Sequence, residues 1–107
     1  MSLVISHENY MFRVDGDILE TFIRGESEQR VLLAWLSVQV LPLARGNLAL
    51  KIGSAPPDVP LYEMLQKARP VTGRGATVQV SISAAEEPLL REFFTQVAQL
   101  CGRHVAR

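Results

Sequence analysis

Short alternating runs and turn signals fill roughly the first eighty residues of the chain, and one amphipathic stretch closes it. A sheet has to cover the face it turns toward a core, and here the longest helical pattern comes last. That order points to a mainly β domain sealed by a C-terminal helix, an α+β arrangement in which strands are laid down first and the lid arrives at the end.

The strands are read from period-two alternation. Tyr10, Phe12 and Val14 alternate with Met11 and Arg13, and the run stops at Asp15-Gly16-Asp17. An Asp-Gly pair is a strong hairpin signal because glycine accepts positive φ at no steric cost. The partner strand covers residues 18–24, and Leu19, Thr21 and Ile23 form its core face. Residues 30–43 are apolar, too long for one ordinary strand and weakly periodic as a helix, so the run splits at Trp35-Leu36-Ser37. Trp35 is assigned to the core. Pro42 cannot donate to a ladder and belongs at an edge or strand end. Arg45-Gly46-Asn47 then turns the chain into Leu48, Leu50 and Ile52, which alternate with small or charged neighbours, as in a meander. Residues 76–83 alternate most cleanly, with Ala76, Val78, Val80 and Ile82 inward, which predicts an antiparallel sheet with one wet face.

Two segments read as helix. In residues 58–69, Leu61, Met64, Leu65 and Ala68 fit the i, i+3, i+4, i+7 spacing, with Asp58 as a cap and Pro60 in the first turn. Periodicity alone favours a short helix over a strand there. The closing helix is expected over residues 86–104, with Pro88 in its first turn and Glu86 and Glu87 at the positive end of its dipole. Leu90, Phe93, Phe94, Val97, Leu100 and Cys101 make its apolar stripe.

The opening hairpin of residues 10–24, the interrupted run of residues 30–40, the hairpin of residues 38–52 and the final strand and helix of residues 76–100 resemble the pleckstrin-homology-like (PH-like) superfold, particularly its small bacterial members. The resemblance implies one domain over residues 1–107, an antiparallel sandwich or partial barrel capped by one amphipathic helix, and a non-catalytic interaction role. It also implies a strand where residues 58–69 read as helix. If that segment is helical, the competing architecture is an α+β sandwich with a second short helix. PH-like domains hold phosphoinositide heads with basic residues around the first hairpin loop. In this chain that loop is Asp15-Gly16-Asp17, which repels phosphate, and only Arg13 lies nearby.

Composition narrows the function classes. With 107 residues, the chain is sized for one core. Its 11 basic and 11 acidic residues cancel, so no long-range field gathers nucleic acid or anionic membrane. No apolar run approaches the roughly 20 residues of a transmembrane helix, and no leader pattern opens the chain, which leads to the expectation of a soluble cytoplasmic protein. The lone Cys101 has no partner for an internal disulfide, in keeping with a reducing compartment.

No motif for catalysis or cofactor binding stands out, and the protein is expected to be non-enzymatic and to use no cofactor. The serines lie outside a Gly-x-Ser-x-Gly elbow, and the carboxylate pairs Asp15 with Asp17, Glu26 with Glu28 and Glu86 with Glu87 sit at turns or the helix start, where acids belong anyway. Cys101 and His104 are three apart on the closing helix, but two ligands make no metal site, and His7 would have to join them. Lys67, Arg69 and Arg74 form the most basic segment, and Tyr62, beside a proline-rich loop, is the aromatic candidate for an exposed contact. These four residues are the candidate anion or partner contacts. The expected role is an interaction module that binds a protein partner or its own copy, with an exposed edge strand as the docking surface. Weak attachment to a membrane surface or an anionic ligand through residues 67–74 is the alternative, and a small pocket protein or enzyme is the least supported class. Replacing Phe93 by Ala should cost on the order of 3 kcal/mol or more in urea unfolding, because the ring anchors the closing helix.

Overall fold

The computed structural model describes residues 3–25, 28–67 and 78–106. Among these residues eight strands form two four-stranded sheets, and one helix follows them. The architecture is mainly β with a C-terminal helix, and the two open sheets face each other as in a sandwich.

Sheet A runs in chain order through β1 (Val4–His7), β2 (Tyr10–Asp15), β3 (Ile18–Ile23) and β4 (Gln29–Leu32), every neighbour antiparallel. The hairpin after β2 is the predicted one: Asp15 pairs with Ile18, and Gly16 takes φ 63° as the first loop residue. Tyr10, Phe12 and Val14 point into the core together with Leu19, Thr21 and Ile23, as their alternation requires. The strand β1 departs from expectation, since residues 1–9 carry no alternation that marks a strand. It forms because the chain turns back at Glu8-Asn9 and lays His7 beside Tyr10. His7 is therefore inside a strand and not ahead of the first one.

A 3-10 turn at Leu33–Trp35 leads out of sheet A. It breaks the long apolar run where the sequence places the break, yet it reverses the role of Trp35. The turn sends Leu33 into the core and leaves Trp35 46% exposed, so the tryptophan is a surface residue and not a core one. Sheet B then forms in the order β7-β5-β6-β8 from β5 (Leu36–Pro42), β6 (Leu48–Ser54), β7 (Tyr62–Met64) and β8 (Val78–Ile82). β5 and β6 are an antiparallel hairpin, and β8 adds antiparallel to β6.

The strand β7 corrects two expectations. Residues 62–64 are not helical, and β7 runs parallel to β5, so the sheet is mixed and not a pure meander. The bonds responsible are long-range. The Val38 N–H donates to the Leu61 carbonyl at 2.8 Å, and the Leu65 N–H donates to the Val40 carbonyl at 2.7 Å. Leu61 and Tyr62 are buried and Met64 is exposed, and it is the backbone pairing with β5 that makes this segment a strand.

The helix α1 (Glu87–Cys101) closes the molecule. The turn that leads into it is closed by a reciprocal pair with capping-box spacing: the Glu86 N–H donates to Ser83 Oγ at 3.2 Å, and the Ser83 N–H donates to the Glu86 carboxylate. Its end uses Gly102 at φ 71°, with the N–H groups of Gly102 and Arg103 both donating to the Ala98 carbonyl. Leu90, Phe93, Phe94, Val97 and Ala98 are buried, whereas Leu100, predicted to lie on the apolar stripe, is 56% exposed.

Phe94 is fully buried at the centre of an aromatic chain, 5.6 Å from Phe12 of sheet A and 5.5 Å from Tyr62 of sheet B, ring centroid to centroid. Phe94→Ala should lower unfolding free energy by about 3–5 kcal/mol in urea titrations. Gly102→Ala meets open space but keeps a left-handed backbone, so it should cost about 1 kcal/mol, read in the same assay.

Candidate functional site

Where α1 begins, a polar seam joins the helix to both sheets. Glu87 is buried, accepts a 2.8 Å hydrogen bond from Tyr62 Oη, and is also clamped by the Arg91 guanidinium one turn on. Glu86 takes the other side: His7 Nε2 lies 3.0 Å from its Oε1, and Tyr10 Oη donates to the same oxygen at 3.5 Å. Burial first, and the neighbouring Glu86 second, push the Tyr10 phenol up to about 12. Tyr62 is pushed up further, mainly by burial and then by its bond to Glu87. Both phenols stay protonated donors across the neutral range and act as ties to carboxylates.

A second carboxylate is enclosed on the outward face of sheet A. Glu20 is only 4% exposed, although its neighbours Ile18 and Phe22 are half-buried. Arg13 and Arg30 sit directly across from it on β2 and β4, and both guanidinium groups bond its carboxylate, at 2.6 and 3.2 Å. Hydrogen bonding from Arg13 leads the effects that hold the Glu20 carboxyl below the usual range. The two arginines close it off from water as a thin cover, without depth.

The third polar device is Arg103, just past α1. Its guanidinium donates to the carbonyls of Leu33, Leu36 and Val59 at 2.6–2.9 Å. Burial leads the effects on its pKa and lowers it. Residues 104–106 then run along the outer side of β7: the Leu61 N–H donates to the His104 carbonyl at 3.0 Å, and the Ala106 N–H to the Tyr62 carbonyl at 3.1 Å. Between this tail, β7 and α1 lies a groove of about 570 Å³ bordered by Met64, Thr95, Gln99 and Val105. A second groove of about 520 Å³ lies beside the Gly16 turn, against Leu33, Pro57 and Leu100.

The other sheet borders differ in chemistry. β4 carries Arg30, and β1 ends at His7, which Glu86 holds. β8 reads Val-Gln-Val-Ser-Ile, has no charge, proline or glycine, and among the described residues pairs with β6 alone. Its inward Val78 and Val80 are half-buried, whereas Leu50 and Ile52, their partners on β6, are fully buried.

The structure redistributes the four candidate contact residues. Tyr62 is 1% exposed and bonded to Glu87, so it is a core tie and not an exposed contact; the strand β7 turns it inward under α1. Lys67 is exposed. Arg69 and Arg74 lie outside the described residues. Cys101 donates to the Ala98 carbonyl at 3.6 Å, and it sits at the opposite end of a 15-residue helix from the His7–Glu86 contact. That is about 22 Å of helix, so His7 does not join Cys101 and His104. Among the described residues no group of three His, Cys, Asp or Glu side chains is placed to hold a metal ion, and no helix is long and apolar enough to cross a membrane.

The seam was hidden from sequence reasoning because its partners are distant: Tyr62 and Glu87 are 25 positions apart, Tyr10 and Glu86 are 76 apart. The one local signal was Ser83-x-x-Glu86, a capping box spacing. Comparison with protein-family models, curated proteins and solved structures finds no match.

The raised phenol of Tyr10 sets an alkaline limit. A phenol that ionises later in the folded state than in the unfolded one stabilises the fold fully below its unfolded value of about 10. The stabilisation is lost as pH rises toward about 12, so urea melts should show stability falling above pH 10. Tyr62→Phe should cost about 1 kcal/mol at pH 7 and make that alkaline fall shallower.

Proposed function

We propose that the protein is a non-enzymatic interaction module, and that its docking element is the β8 edge of sheet B. The observation that carries this reading is the contrast among the sheet borders. Natural sheets blunt exposed edges with charges, proline or a covering segment, because a free row of backbone groups invites another strand. The β7 side is covered by residues 104–106 and β4 carries an arginine, while β8 has none of these devices among the described residues. An edge of this kind takes an extended polypeptide by strand addition: main-chain hydrogen bonds supply affinity, and alternate side chains supply selection.

The chemistry of the interior supports the same role. Glu86, Glu87, Glu20 and Arg103 are each engaged by groups of the chain itself, which makes them fasteners of the scaffold. The PH-like resemblance agrees with a docking role, as an analogy of pattern. Neither of the two grooves is lined by His7, Tyr10 or Glu86, and the His7–Glu86 contact is itself a tie between β1 and the start of α1.

A photo-crosslinking amino acid at Gln79, on the outward face of β8, tests the reading in cells, with the same group at Glu92 on the exposed face of α1 as the control. Position 79 should give a discrete polypeptide adduct that Ser81→Lys suppresses, and position 92 should give none. Absence of any adduct from position 79, or equal yields from both, overturns the assignment of β8 as the docking element.

A further inference from the structure

Taking β8 as the docking element, we infer that its occupant is the β8 strand of a second copy of this chain, paired antiparallel about a two-fold axis through Val80. The sequence of the strand is close to a palindrome about that residue. Antiparallel pairing centred there sets Val78 opposite Ile82, Gln79 opposite Ser81, and Val80 opposite its own copy. Apolar residues meet apolar ones on the inward row, and uncharged polar residues meet on the outward row.

Self-pairing imposes a condition that pairing with a different strand does not. Every charge in a self-paired strand has a like charge on the partner nearby, and like charges directly opposite destabilise a sheet. Of the border strands, β4 carries Arg30, β7 carries Glu63 and β1 ends at the His7 that Glu86 holds, whereas β8 carries no ionisable residue. On the outward face Gln79 pairs with Lys51 of β6. Three strand spacings, roughly 14 Å, would separate it from the Lys51 of the other copy, beyond the ionic screening length of about 8 Å. The inward row supplies the gain. A second β8 would cover the half-exposed sides of Val78 and Val80 and continue the row formed by Val38, Val40, Leu50 and Ile52. Such a contact is isologous and closes at two copies.

Five residues of edge make a small interface, so the dissociation constant should lie on the order of 10–100 μM. Sedimentation equilibrium across that range should show a mass rising from 11.9 kDa toward twice that value. Gln79→Glu with Ser81→Glu keeps an opposite charge beside Lys51 but sets carboxylates opposite one another across the axis, and should weaken association at least about tenfold. Gln79→Glu with Ser81→Lys sets each glutamate opposite the partner's lysine and beside its own Lys51, so association should match or exceed the unmodified chain. Both positions are exposed, and thermal melts of the two variants check that the fold is kept. A monomer up to about 1 mM overturns the second copy as occupant; a Gln79 adduct with a different polypeptide would then leave β8 standing as the docking element. A dimer unaffected by either double substitution, or weakened equally by both, overturns the Val80-centred pairing.

Discussion

The burial of Phe94 between the two sheets is the constraint on which the architecture rests. Neither sheet closes on itself, so each leaves an apolar face that needs a cover. The ring of Phe94 meets Phe12 on one side and Tyr62 on the other, with Phe93 edge-on at 5.1 Å. Aromatic pairs at these separations favour offset or tilted geometry, which fixes position as well as burying area. The helix therefore acts as a wedge that sets the spacing of the sheets, and the short strand β7 is held beneath it through Tyr62.

Polar groups then convert that wedge into a defined pose. A helix packed by apolar contacts alone can slide along its axis, since dispersion has little directional preference. Here the first turn is tied to β1 and β2 through Glu86, and to β7 through Glu87. The far end is tied by Arg103 to the turn before β5 and to the loop before β7. These ties sit at opposite ends of the helix, which leaves one register and one rotation in which all are satisfied.

Local features of the sequence carried most of the architecture. Alternation placed β2, β3, β6 and β8, the Asp15-Gly16 pair placed the first hairpin, and the helical stripe placed α1 to within a few residues at each end. What escaped depended on contacts between distant positions. β1 has no alternation and exists because β2 templates it, while β7 overrides a helical spacing because β5 and the tail take its backbone groups. Trp35 and Tyr62 exchanged roles for a related reason: apolarity says that a ring prefers burial, but backbone direction at a 3-10 turn and in a strand decides which ring receives it. The edge at β8 was readable as a strand, and the lack of charge that distinguishes it is visible in the sequence as well. Its place at the border of the sheet is not, because strand order is a property of the whole fold.

The tail along β7 has a consequence for how the molecule is built. β7 offers only three residues to a parallel pairing, the weaker kind per residue, and its other side is satisfied by residues that come last among those described. A chain emerging from the ribosome in order would thus pair β5, β6 and β8 first, with β7 held by β5 alone, until Arg103 and its successors are free of the exit tunnel. Any polypeptide joined after Ala106 must leave that final extended stretch slack enough to lie down beside β7, or assembly stalls one strand short.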